Sequence, residues 1–173
     1  TDEKLRINVL ACDHPDDASI EAFRNFRIRL RFLMMNAKNN LVMISSGSPG
    51  VGKSFVCANL ATVAAKSGQR VLVVDGDLSS GHLHRSFGVN PHNGLAEVLA
   101  GTIGINDAIS TTMVDNLHYM PSGEMPINPS ELLAGPALSK LTKWLSAVYD
   151  VVIFDTPPIL EVTDAAIIGR HCG

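Results

Sequence analysis

"LVMISSGSPGVGKSFVCANLATVAAK", residues 41–66, runs from an apolar stretch into a loop of glycines, serines and a proline, then into Gly52-Lys53-Ser54 and a helix-like segment. The spacing Gly47-x-x-x-x-Gly52-Lys53-Ser54 fits the phosphate-binding loop template. Successive backbone N–H groups in such a turn, followed by a helix N-terminus, make a concave set of donors for a polyphosphate. Gly47, Ser48, Pro49, Gly50, Val51, Gly52, Lys53, Ser54 and Phe55 are therefore the candidate nucleotide contacts. Lys53 is placed to reach the β and γ phosphates of ATP, and the Ser54 hydroxyl to ligate Mg²⁺.

A phosphate loop needs acids, because Mg²⁺ prefers hard oxygen ligands. Two further apolar runs supply them: Val71–Val74 before "DGDLSS", and Val151–Phe154 before "DTPP". Asp75, Asp77 and Asp155 then fall at the C-terminal ends of strands, the edge where open α/β sheets bind ligands. Asp155 is the candidate to hold the metal directly or through water, with Ser54 and Asp77 as further metal candidates. Of Asp75 and Asp77, only one is expected to point straight at the nucleotide.

Continuous Val/Ile/Leu runs suit strands buried on both faces, as in a parallel sheet. Helix-like segments lie between them at about 52–67, 94–100 and 137–148. Leu117–Met120 is a candidate fourth strand, and Asp164–Arg170 a further helix. The rhythm predicts a doubly wound, mostly parallel α/β fold of the P-loop NTPase type. Upstream, Ser19 is a plausible N-cap for a helix to about Met35, with Phe23, Phe26, Leu30 and Leu33 expected to face the core. Residues 1–18 read as a leading segment or linker and 19–173 as the domain, with more sheet expected beyond Gly173.

At 173 residues, 46% apolar and 18% charged, the composition is that of a folded globular chain. A net charge of −3 creates no long-range attraction for nucleic acid, and none is expected as a partner. Cys12, Cys57 and Cys172 form no CxxC pair, which favours a reducing compartment over a disulfide framework. No apolar stretch approaches the roughly 20 residues that span a bilayer. His82, His84 and His92 lack a matching carboxylate or cysteine pattern, so no metal site is assigned to them.

Taken together, "GSPGVGKSF", "VLVVDGDL" and "VVIFDTPPI" resemble the three Walker motifs (A, A′ and B) of the bacterial tyrosine kinases, or BY-kinases, of capsule and exopolysaccharide synthesis. "EAFRNFR" is similar to that family's E-x-x-R-x-x-R helix, through Glu21, Arg24 and Arg27, and "NPSELL" (128–133) and "VTDAAIIG" (162–169) fit as well. The resemblance runs from about residue 19 to the end. It implies ATP- and Mg²⁺-dependent autophosphorylation of tyrosine in polysaccharide chain-length control and export. Lys53, Asp75, Asp77 and Asp155 are the catalytic set it implies, with Asp75 the candidate to receive or orient the tyrosine proton. It further implies a cytoplasmic domain of an inner-membrane protein and a homo-oligomeric ring contacted through Glu21, Arg24 and Arg27. A polysaccharide co-polymerase segment, fused or separate, and a cognate tyrosine phosphatase are the other implied partners.

Several positions depart from that pattern. Ser79 stands where the family carries an arginine, and His82 where many members carry a regulatory tyrosine. There is no tyrosine cluster: Tyr119 and Tyr149 are the chain's two tyrosines, and both read as structural. Ser48-Pro49 occupies the place of the signature lysine of partition and cell-division ATPases, which speaks against that rival reading of a hydrolytic dimer switch. An ATP-binding regulatory module with weakened catalysis is the other alternative.

Overall fold

The computed structural model describes residues 9–173. Its sheet has five strands: β1 (Leu41–Ile44), β2 (Val71–Asp75), β3 (Ser110–Thr111), β4 (Leu117–Met120) and β5 (Val151–Asp155). They lie in the order β1-β5-β2-β4-β3, all parallel except for the antiparallel β3–β4 pair at one edge. The expected mostly parallel α/β architecture is thus present, with β3 as the one strand the sequence did not announce. Two residues of Ser and Thr carry no apolar run to read.

Among the described residues, eight α-helices flank the sheet: α1 (Leu10–Asp13), α2 (Ala18–Met34), α3 (Lys53–Lys66), α4 (His84–Phe87), α5 (Leu95–Ala100), α6 (Pro129–Ala134), α7 (Pro136–Val148) and α8 (Asp164–Gly169). Strand alternation sorts the core into two layers. Val71, Val73, Val151 and Ile153 pack with α3 and with Ile20 of α2, whereas Leu72, Val74, Val152 and Phe154 pack beneath α5, α7 and α8. Each such side chain contributes about 1.5–3 kcal/mol by leaving water. Both faces being covered explains why the strand sequences show no polar alternation.

The strand parity also aims the acids. Asp75 continues the Val71–Val73 face and Asp155 continues the Val151–Ile153 face, so both carboxylates stand on the side of α3. α3 starts at Gly52, whose φ of +93° is a left-handed conformation open to glycine, and directs its N-terminus at that same edge.

α2 departs from expectation in two ways. Its N-cap is Asp17, whose side chain accepts from the Ser19 backbone N–H at 2.8 Å, so Ser19 is the second residue of the first turn and not the cap. Phe23 and Leu30 pack on the core together with Met34, but Phe26 is 44% and Leu33 72% exposed. Only one stripe of this helix meets α3. The sequence is apolar over a wider arc than the core can use, and Phe32 and Met35 are also exposed on the outer side. Upstream, residues 1–8 of the anticipated leading segment lie outside the described residues. Val9 and Ala11 are buried against α3, and the Ala11 backbone N–H donates to Asn59 Oδ1 at 2.8 Å.

Candidate active site

The C-terminal sheet edge opens into a cavity of about 490 Å³ between the 49–55 loop, the 75–82 loop and the 155–162 loop. Pro49, Gly50, Gly52, Lys53, Ser54 and Phe55 line it from one side. Gly47, Ser48 and Val51 belong to the same loop but do not form the cavity wall. Gly50 and Gly52 have φ of +73° and +93°, and a Cβ at either would meet no protein atom within 4 Å. The glycines are required by backbone conformation, and the space in front of them is left clear.

Three carboxylates meet this loop, each in a different setting. Asp155 is buried; its Oδ2 accepts from Ser54 Oγ at 2.7 Å, while its Oδ1 is buried with no hydrogen-bond partner. Burial raises its pKa, opposed by the Ser54 hydroxyl and by the nearby Lys53 charge. An orphan carboxylate oxygen beside a serine hydroxyl at the foot of a phosphate loop is a donor set of hard oxygens, and it fits Mg²⁺.

Asp75 pairs with Asp155 in the strand register and is 1% exposed. Its Oδ1 accepts from the Asp77 backbone N–H at 3.2 Å, and its Oδ2 from the Leu83 N–H and the Tyr119 hydroxyl, both at 3.3 Å. Burial first, and the Asp155 charge second, push its pKa up to about 7. Asp77 lines the cavity but is committed to its own loop. Its Oδ1 accepts from the Ser79 and Ser80 N–H groups (3.2 and 2.9 Å), and its Oδ2 from Ser80 Oγ at 2.9 Å. Of the two acids, one is therefore held within the core network and the other caps a turn, a distinction that the "DGD" string does not carry.

Gly76 between them is needed for close approach. Its N–H donates to the Asp155 carbonyl at 2.7 Å, and a Cβ would come within 2.9 Å of that oxygen and of Ile168 Cδ1. The sequence reading missed the remaining wall, formed by Ser79, Ser80, Gly81 and His82 on one side and Thr156, Pro157, Pro158, Glu161 and Val162 on the other. Buried Cys57, on α3, is also near the acids. Its thiol pKa is raised well above the ordinary value by burial and by the Asp155 charge, so it is inert as a nucleophile.

Glu21, Arg24 and Arg27 lie apart from this cavity, on α2. Arg24 Nη1 donates to Glu21 Oε2 at 3.1 Å and Nη2 to the Pro15 carbonyl at 3.2 Å; Arg27 Nη1 donates to Ser67 Oγ at 3.2 Å. Tyr119 and Tyr149 are buried, Tyr149 with its hydroxyl 2.8 Å from His118 Nδ1, so both are structural.

A glycine-rich loop between strand and helix, a serine–aspartate pair at its foot and a parallel sheet define a P-loop nucleotide-binding domain. The family described as an AAA domain matches residues 39–169. The chain is 47% identical over 165 residues to the tyrosine-protein kinase wzc of Salmonella typhimurium, covering 95% of this chain and 23% of that protein. Among solved structures, the BceF tyrosine kinase domain aligns with a TM-score of 0.90 at 42% identity, covering 97% of this chain and 67% of that one. The kinase domain of Escherichia coli tyrosine kinase ETK gives 0.91 at 43% identity, covering 95% and 64%. The chain belongs to the bacterial tyrosine kinase branch of this P-loop family. It spans about a quarter of the length of the curated relatives it matches.

Proposed function

We propose that this chain is the catalytic domain of an ATP-dependent protein tyrosine kinase that autophosphorylates within a polysaccharide export system. The observation that carries the reading is the foot of the cavity: Ser54 on Asp155 Oδ2, Asp155 Oδ1 unpartnered, and Asp75 in register one strand away.

Phosphoryl transfer asks chiefly for positioning and neutralisation of charge. The backbone N–H groups of residues 50–54, at the N-terminus of α3, bind the triphosphate, and Lys53 reaches its β and γ groups. Ser54 and Asp155 would hold Mg²⁺, which would supply positive charge against the phosphate oxygens. Asp77 orders the 75–82 loop along the cavity wall and would be a further oxygen donor for the metal. Asp75 receives a hydrogen bond from the incoming tyrosine hydroxyl. With a phenol pKa near 10, orientation before transfer and proton uptake during it are the feasible roles for a carboxylate.

The burial and internal hydrogen bonds of Tyr119 and Tyr149 support a phosphoacceptor other than these two residues. Glu21, Arg24 and Arg27 form the subunit contact. Two features support this: Arg27 Nε is buried with no hydrogen-bond partner, and the outer side of the same helix exposes Phe32 and Leu33. The whole protein is read as inner-membrane, with this domain on the cytoplasmic side. A polysaccharide co-polymerase segment is its membrane partner, and a tyrosine phosphatase opposes it.

The test is direct. The chain is given γ-labelled ATP, Mg²⁺ and a tyrosine-containing acceptor, with Lys53→Met as control. Label on tyrosine, reduced at least about 100-fold in the control, is the expected result. Free phosphate with no labelled acceptor would make it a hydrolytic switch, and nucleotide binding with neither product a regulator.

A further inference from the structure

One buried hydroxyl reaches the acids from within the core layer on the α3 side of the sheet. Tyr119 is wholly buried and pairs with Val73 in the β2–β4 register, two residues before Asp75 on the neighbouring strand. Two strand residues advance about 6.6 Å. A phenol leaning along the strand covers that distance, and the Tyr119 hydroxyl donates to Asp75 Oδ2 at 3.3 Å. The ring has little freedom: Phe87 tilts against it with centroids 5.3 Å apart, and the His84 backbone N–H lies against the phenolic oxygen. From the cavity side, Gly81 presses so close that a Cβ would sit 2.8 Å from the same Asp75 oxygen. Burial, and then the Asp75 charge, raise the phenol pKa, so the group stays a donor.

We propose that Tyr119 is a positioning residue for phosphoryl transfer: its hydroxyl fixes the plane of the Asp75 carboxylate against the tyrosine that Asp75 receives. The proposal rests on the reading of Asp75 given above. A carboxylate at a strand end has two rotatable bonds, and rate is sensitive to misplacement of a reacting group by as little as 1 Å. Hydrogen bonds to both oxygens, from Asp77, Leu83 and Tyr119, remove that freedom. Tyr119 is the one side chain among these donors and so the one that mutation can remove cleanly.

Tyr119→Phe keeps the ring and deletes only the hydroxyl. The expected result is a fall in kcat for tyrosine phosphorylation of about fivefold, the size of one hydrogen bond, with KM for ATP within about twofold. In an Asp75→Asn background the same substitution should cost little more. An unchanged kcat, or an equal loss in both backgrounds, would overturn the proposal. A second readout does not depend on activity. In protein labelled with ¹³C-aspartate, the Asp75 carboxyl resonance, identified by its loss in Asp75→Asn, is expected to move in Tyr119→Phe. An unmoved resonance would overturn the contact itself. Wild-type protein that labels no tyrosine would overturn the kinase reading, while the resonance would still decide the contact.

Discussion

Asp75 and Asp155 end neighbouring parallel strands in the same register, on the same face of the sheet, and only Asp155 carries an oxygen with no partner. Two carboxylates buried side by side cannot both ionise cheaply without a cation between or beside them. The pairing makes the metal-free domain sensitive to pH.

In chelator, stability should fall as pH rises from about 4 to 7. Asp75 has a folded-state pKa raised to about 7 from an ordinary value of 3.8, so the folded state holds a proton that the unfolded chain has released between those values. Its stabilisation is complete below the lower value and is lost as pH passes the upper one. The slope is limited to about 1.4 kcal/mol per pH unit for one group. Thermal melts of wild type and Asp75→Asn check it: the variant's melting temperature should vary less with pH, and it should be the more stable protein at pH 8.

Ser54→Ala removes the one hydroxyl on Asp155 Oδ2. ATP affinity in the presence of Mg²⁺ should drop about tenfold or more, while affinity in chelator changes little, because the loop backbone is untouched. Titration calorimetry with and without the metal separates the two.

Gly76→Ala and Gly52→Ala should fail in different ways. At Gly76 the new methyl meets the Asp155 carbonyl and Ile168 at 2.9 Å, so overpacking should cost about 1–3 kcal/mol in a denaturant melt. At Gly52 there is no collision, but φ is +93°, so the cost falls on loop conformation and nucleotide binding should suffer more than at Gly76.

Arg24→Ala combined with Arg27→Ala should lower the assembled mass in sedimentation and leave ATP affinity within about twofold, since α2 does not line the cavity. An unchanged mass would remove these residues from the subunit contact.

Much of the fold was legible in the sequence, for a physical reason. Strands buried on both faces must be continuously apolar, so Val71–Val74 and Val151–Phe154 declared themselves, and an aspartate directly after each marked the ligand edge. The strand order was not legible, because pairing β5 between β1 and β2 depends on contacts about 80 residues or more apart in the chain, and local pattern carries no neighbour list. The Asp75–Asp155 adjacency and the Tyr119–Asp75 bond were hidden for that reason. α2 misled in another way: Phe26 and Leu33 fit a helical period, yet a period gives a stripe and not the identity of what covers it. α6 begins at a proline and runs only six residues, too short for periodicity to show.

The central claim is that the 49–54 loop and Asp155 hold the triphosphate of ATP with its magnesium. A crystal structure with a non-hydrolysable ATP analogue and Mg²⁺ tests it. The account predicts phosphates against the Gly50–Ser54 backbone, Lys53 on the β and γ groups, and the metal joined to Ser54 Oγ, with Asp155 bound directly or through one water. Nucleotide absent from that loop at saturating concentration, or a metal bound away from Asp155, would contradict it.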